Sequence, residues 1–289
     1  MNEKLFLHEG ILFPSAGYDP EMLRFTQEEF VFKDDDVMIM TYPKSGTNWL
    51  ISILSLIRSK GDPTCVQSLP FWERAPWLET KFGFENLPTM KSPRLMTSHL
   101  PLRIFPKSIF NTKAKVIYLI RNPRDVLVSG YFFGHVVNLL ARSESLPQYF
   151  EWFLEGNVVY GSWFDHIRGW SSKRDWENLL WLSYEELLQD TRGTVEKICH
   201  FMGEKLTPEE IGSVMKYSSF QFMKESKVSN FMALQDYNLI DMEHRAGMTL
   251  LRKGIAGDWK NHFTVAQAEA FDKIFKERTA GLPPELFPW

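Results

Sequence analysis

The chain has 289 residues, 44% hydrophobic and 24% charged, the proportions of an ordinary globular protein long enough for one large core. Its formal net charge of −3 excludes a global pull toward nucleic acid, so any basic surface has to be local. Two cysteines, Cys65 and Cys199, cannot make a disulfide framework or a metal site unaided, and no signal peptide or membrane-length apolar run is visible, so the cytosol (cytoplasm), with no membrane partner, is the expected location.

In chain order, Ile11 to Tyr18 is an apolar segment interrupted by Pro14 and Gly17, and a short helix is expected after it, ending near Phe30. Asp34, Asp35 and Asp36 read as a solvated turn. Val37 to Met40 reads as a strand, the stretch around Pro43-Lys44-Ser45-Gly46-Thr47 as a tight loop, and the apolar run from Leu50 to Ile57 as a helix. Free N–H groups and the positive dipole end at a helix start favour an anion. Gly46 lets the backbone approach it, Lys44 adds a mobile charge, and Ser45 and Thr47 add hydroxyl donors. A plain strand-to-helix turn with a chance lysine is the alternative these residues leave open.

The loop is not a Walker A sequence, because Lys44 precedes its only glycine. The apolar strand Val116 to Ile120 ends in Arg121, where a magnesium NTPase needs a metal-binding Asp. The pattern suits phosphate without a metal.

Gly61-Asp62-Pro63 breaks the chain after the first helix. Residues 68–90 look irregular and aromatic, with Phe71, Trp72, Trp77, Phe82 and Phe84 among prolines and Gly83, either packed on the body or walling a pocket. Arg94 to Pro101 reads as a short strand with a polar tip at His99. Val116 to Ile120 leads through Arg121-Asn122-Pro123-Arg124-Asp125 into a helix over Val126 to Phe133, and Leu179 to Tyr184 is a third strand before another helix. Strands alternating with helices, and polar residues just after strand ends, predict a single α/β domain over 1–289, with a central parallel sheet flanked by helices and a ligand site at its carboxyl edge. The aromatic surplus of 15% either fills the core or lines an apolar cavity.

Three strand ends thus offer Lys44 with its loop, His99, and Arg121 with Ser129 eight residues on. A histidine so placed is as open to a packing role as to catalysis.

Tyr42-Pro43-Lys44-Ser45-Gly46-Thr47-Asn48-Trp49, Ser98-His99-Leu100-Pro101, Arg121-Asn122-Pro123-Arg124-Asp125 and Arg252-Lys253-Gly254-Ile255-Ala256-Gly257-Asp258-Trp259-Lys260-Asn261 resemble the motif set of the cytosolic sulfotransferases. The chain is similar in particular to their hydroxysteroid (bile salt and alcohol) branch, from about Phe13 to the terminal Leu286-Phe287-Pro288-Trp289. The resemblance implies a P-loop-kinase-like fold and 3′-phosphoadenosine 5′-phosphosulfate (PAPS) as donor, with no metal. It implies that Lys44, Ser45, Gly46, Thr47, Asn48 and Trp49 hold the 5′-phosphosulfate, and that Arg121, Ser129, Arg252, Lys253 and Gly254 hold the 3′-phosphate. The adenine is then expected against Trp49, Tyr184, Ser218 and Met223. Two phosphate groups need two cationic clusters, and the sequence supplies them.

The resemblance further implies sulfuryl transfer to a hydroxyl, with His99 as base, Lys44 neutralising the leaving phosphate and Ser129 holding Lys44 back until the acceptor arrives. Phe13, Pro14, Tyr18, Trp72, Trp77, Phe133 and Tyr160 are expected to wall the pocket of a steroid or bile acid, with lids at about 68–90 and 231–249. Gly134 stands where related steroid enzymes carry a bulky aromatic, and Phe231 to Gly247 is longer than in close relatives. Lys260, Thr264, Val265 and Glu269 match the family's short dimerisation motif and imply a homodimer. A magnesium-dependent nucleotide kinase and a non-catalytic steroid or bile-acid carrier are the competing classes.

Overall fold

The computed structural model describes residues 4–138, 140–229 and 251–289. The expected lid over 231–249, with the longer Phe231 to Gly247 stretch, lies outside these described residues.

Four parallel strands carry the fold: β3 (Val37–Thr41), β4 (Leu95–Ser98), β5 (Lys115–Ile120) and β6 (Leu179–Ser183), in the spatial order β4-β3-β5-β6. The chain leaves β3 toward β4 on one side and returns to β5 on the other, so the carboxyl end of β3 is a topological switch point. Open α/β sheets bind ligands at such a crevice. Ahead of the sheet, β1 (Leu5–His8) and β2 (Ile11–Pro14) pair as an antiparallel hairpin that sequence patterning did not reveal. The expected helix follows as α1 (Pro20–Glu29), capped by the Asp19 carboxylate accepting from the Glu21 and Met22 N–H groups.

Both faces of the sheet are covered, which explains why its strands read as continuous apolar runs without alternation. Met38 and Met40 face one core with α6 (Pro123–Val136), α7 (Leu146–Glu155), α8 (Trp163–Ser171) and α13 (Val265–Arg278), through Val126, Phe150, Trp163 and Phe271. Val37 and Ile39 face the other, with α2 (Thr47–Arg58), α10 (Thr191–Met202) and α11 (Pro208–Tyr217), through Leu54, Ile198 and Val214. Helix α2 is buried nearly all round, and its polar Ser52 and Ser55 stay inside by donating to the carbonyls of Asn48 (3.0 Å) and Ile51 (2.7 Å). Each fully buried Leu or Ile in it contributes about 1.5–3 kcal/mol. The cradle at its start therefore stands on a rigid post.

Two expectations are corrected. Asp36 is not in a solvated turn: it is 1% exposed and holds the equally buried Arg94, whose Nε donates to Oδ1 at 2.8 Å. A triple acidic run looks like a surface feature, and its partner lies on a distant strand. Residues 68–90 are not irregular either. They include α4 (Phe71–Arg74), α5 (Lys81–Asn86) and a short 3-10 turn over Leu87–Thr89, anchored by buried Phe71, Leu78 and Leu87. The remaining helices are α3 (Thr64–Ser68), α9 (Tyr184–Gln189) and α12 (Phe220–Glu225). No helix among the described residues is long and apolar enough to cross a membrane.

Candidate active site

At the end of β3 the chain turns through Tyr42 to Gly46 and enters α2. Lys44 takes a left-handed φ of 69° and Gly46 a φ of 105°. A Cβ at Gly46 would lie 2.7 Å from the Tyr184 ring, so only glycine permits both the turn and the close approach. No side chain caps α2, which leaves its first N–H groups available to an anion.

The Lys44 ammonium lies 3.9 Å from the centre of the Phe133 ring. Burial, then the charges of Arg121 and Arg252, bring it down to about 7. Among the described residues no hydrogen bond joins Ser129 to Lys44. Ser129 lines the same cavity, and the Phe133 ring takes the position against the ammonium that Ser129 was expected to hold.

His99 follows β4. Its Nδ1 lies 2.8 Å from the Thr41 carbonyl and 3.0 Å from the Thr41 hydroxyl. A carbonyl can only accept, so Nδ1 carries the hydrogen and Nε2 keeps its lone pair. Burial holds the imidazole down at about 4, with Lys44 pushing the same way and the Thr41 carbonyl opposing. The ring is thus a neutral acceptor at physiological pH. The Thr41 hydroxyl also meets that of Thr47 at 2.8 Å, tying the His99 ring to the cradle helix. Behind it, His166 bonds the His99 carbonyl through Nε2 (3.1 Å) and Tyr118 through Nδ1 (2.7 Å). Burial lowers His166 to about 3, so it stays neutral and structural. Sequence reasoning missed Thr41, His166 and Glu79. Only Thr41, directly before the cradle, carried a usable signal.

On the opposite side of Lys44, Arg121 donates to the Lys44 carbonyl at 2.9 Å and to the Ile255 carbonyl at 3.2 Å, and packs 4.2 Å over the Tyr184 ring. Trp49 stands edge-on to Tyr184 with centroids 5.6 Å apart. Arg252 and Lys253 reach this region, and both donate to Asp258, at 2.6 and 2.7 Å. Asp258 also accepts from Asn261 (2.9 Å) and His262 (3.1 Å). Although burial opposes it, hydrogen bonds from Lys253, Asn261 and Arg252 hold its carboxyl well below the usual range. Gly254, at φ 68°, leaves room for Phe220, since a Cβ there would lie 2.3 Å from that ring. The Asp125 carboxylate fixes the returning loop by accepting from Gly257 and Trp259 at 2.6 and 3.0 Å.

Most of the expected residues share one cavity of about 810 Å³. Trp49, Arg121, Tyr184, Met223 and the 252–254 segment line one part, with Gly46, Thr47 and Asn48 at the cradle. Pro14, Tyr18, Trp72, Trp77, Phe133 and Tyr160 line the part around His99, whose ring lies 5.7 Å from Trp77 and 5.2 Å from Tyr160. The hairpin reaches this wall because Tyr160 N–H donates to the Leu12 carbonyl at 3.0 Å.

Three expected residues are not on the lining. Phe13 is fully buried behind Tyr18 and Tyr160, which take the inner positions. Ser218 is spent on its own helix, its hydroxyl donating to Val214 at 2.7 Å. Ser45 is fully buried in the loop, and its hydroxyl has no partner among the described residues. Tyr149 and Trp152, one turn apart on α7, line the cavity and escaped notice, while Phe82 of α5 walls it as the aromatic 68–90 stretch allowed. Gly134 is buried but off the lining, and a Cβ there would meet no atom of the described residues within 4 Å. Lys260, Thr264, Val265 and Glu269 are all exposed, Val265 at 77%. Thr264 has a local task as well, capping α13 in a reciprocal box with Gln267.

A family model described as the sulfotransferase domain matches residues 34–283. The chain is 58% identical over 289 residues to the 3-beta-hydroxysteroid sulfotransferase of Cavia porcellus, covering 100% of this chain and 99% of that protein. It is 60% identical over 290 residues to sulfotransferase 2A1 of Macaca fascicularis, covering 100% of both. Among solved structures, mouse sulfotransferase SULT7A1 complexed with PAP is 29% identical with a TM-score of 0.79, covering 96% of this chain and 94% of that one.

Proposed function

The chain belongs to the sulfotransferase family, and from that membership we propose that it moves the sulfuryl group of PAPS onto a hydroxyl of a steroid, bile acid or related alcohol. The observation that carries the reading is the pairing in one cavity of a neutral His99, its Nε2 lone pair unspent, with Lys44 of the anion cradle. The relative complexed with PAP and the hydroxysteroid names of the curated relatives support donor and acceptor class respectively.

In the reaction, Nε2 of His99 takes the acceptor's hydroxyl proton as its oxygen bonds to sulfur. The bond from sulfur to the bridging phosphate oxygen breaks, its electron pair stays on that oxygen, and the Lys44 ammonium neutralises the growing charge. The N–H groups at the start of α2, with Thr47 and Asn48, cradle the 5′-phosphate. Arg121, Arg252, Lys253 and Gly254 receive the 3′-phosphate, whose presence separates this donor from ATP. Trp49, Tyr184 and Met223 take the adenine. Ser129, on the lining of the same cavity, joins the residues that receive the 3′-phosphate and holds Lys44 back until the acceptor arrives, and no metal takes part. The apolar wall of Tyr18, Trp72, Trp77, Phe133 and Tyr160 suits a large rigid acceptor. The protein works in the cytosol as a homodimer joined by a small contact through Lys260, Thr264, Val265 and Glu269.

Incubation with labelled PAPS and a panel of hydroxysteroids, bile acids and simple alcohols, read by mass spectrometry, tests the reading. Label on a sterol in the presence of a chelator supports it. Tight sterol binding without transfer would make the protein a carrier, and transfer only with magnesium and ATP would make it a kinase.

A further inference from the structure

We propose that Glu79 is a positioning residue for the transfer, holding the base His99 and the Tyr160–Tyr18 part of the acceptor wall in one hydrogen-bonded unit. The inference rests on His99 being the base. Residues 76–79 run alongside the end of β4, with Thr97 N–H donating to the Pro76 carbonyl at 2.9 Å and Leu78 N–H to the Thr97 carbonyl at 2.8 Å. This pairing delivers Trp77 to the cavity and sends the Glu79 side chain to the residue that matters. Its Oε1 accepts from the His99 backbone N–H at 2.8 Å and from the Tyr160 hydroxyl at 3.0 Å. With its hydrogen given to the carboxyl, the Tyr160 oxygen must accept from Tyr18, 2.7 Å away.

Three features set this arrangement apart from ordinary packing. Glu79 is completely buried, and its second oxygen, Oε2, has no partner among the described residues. Burial pushes the carboxyl up to about 7, despite the opposing interactions with the His99 N–H, the nearby Ser98 hydroxyl and the Tyr160 hydroxyl. Tyr160 is held at a left-handed φ of 68°, a strain that persists where the surroundings over-determine it. An unpartnered carboxyl oxygen in the interior costs stability that an apolar side chain of similar size would not. The return is geometric: both ends of the acceptor's approach to Nε2 are fixed to one atom.

Glu79→Gln keeps an acceptor oxygen and should leave kcat near wild type. Glu79→Ala should lower kcat by about 10- to 100-fold and raise the acceptor KM, because a base displaced by about 1 Å loses that much, while the Kd for PAP, measured by calorimetry, stays unchanged. Glu79→Asp, which withdraws the oxygen by one methylene, should fall between and carries the test if the alanine variant does not fold. Unchanged kcat in the alanine or aspartate variant, equal loss in the glutamine variant, or a parallel loss of PAP affinity would each overturn the proposal. His99→Ala serves as the separate control. If it remains active the base assignment fails, whereas an inactive His99→Ala beside a normal Glu79→Ala refutes the role of Glu79 alone.

Discussion

Binding of adenosine 3′,5′-bisphosphate, the desulfated donor, to the protein at pH 8 should draw nearly one proton from solution. In the free cavity burial and the charges of Arg121 and Arg252 bring Lys44 down to about 7. With that value, Lys44 keeps its proton in roughly one molecule in ten at pH 8 and about half at pH 7. A bound phosphate beside the ammonium reverses the balance, because an opposite charge at contact distance favours the charged form. Uptake of ~0.9 proton at pH 8 and ~0.5 at pH 7 follows, and above pH 7 the affinity should weaken by about tenfold per pH unit, about 1.4 kcal/mol. The nucleotide's phosphates are fully ionised at pH 8, since their second pKa is about 6, so the proton count there belongs to the protein. Calorimetry in two buffers of different ionisation enthalpy reads the number directly. Absence of uptake in the wild type, or the same uptake in Lys44→Met, would refute the account of Lys44.

His99→Ala should lower kcat on the order of 10²- to 10⁴-fold with the Kd for PAP unchanged, since the base touches only the acceptor. In the wild type, kcat should stay level through neutral pH and decline only as the pH falls toward about 4, where the imidazole gains a proton and stops accepting one. Gly134 is off the cavity lining, so Gly134→Trp should leave the kcat/KM ratio of a bent bile acid to a planar 3-hydroxysteroid within about twofold of wild type, short of the roughly 1–3 kcal/mol that bulk inside the pocket would cost. A penalty of that size on the bile acid alone would return Gly134 to the acceptor wall. Asp36→Ala strands the buried Arg94 guanidinium and should destabilise the fold by about 3–5 kcal/mol, a drop on the order of 10 °C in Tm. A shift under about 2 °C would show that water reaches Arg94.

The cradle of the candidate site was legible because its determinants are local. A strand end, a glycine that must adopt a positive φ and a helix start occupy consecutive residues, so Lys44, Gly46 and Thr47 announce one another. The acceptor half is assembled from side chains far apart in sequence. Phe13 and Pro14 are neighbours on one strand, yet Pro14 meets the cavity while Phe13 lies behind it, and alternation on a four-residue strand of a hairpin not foreseen gave no way to choose. Ser218 looked free until its hydroxyl was found closing the end of its own helix. Glu79 and Asp36 are the deeper failures. A buried carboxylate is recognisable only through partners such as Arg94 and Tyr160, which lie 58 and 81 residues away.

Asp258 gives the second cationic cluster an internal tenant. With Arg252 and Lys253 already bonded to one carboxylate, a 3′-phosphate received where we propose would not meet two bare charges but would bid against a resident anion that cannot leave. On that assignment nucleotide affinity is a difference between two partnerships rather than the whole of one. A nucleotide without the 3′-phosphate has nothing to offer in the exchange. For a transferase that must discard its spent nucleotide on every cycle, the same carboxylate is in place to re-seat the two cations once that phosphate departs.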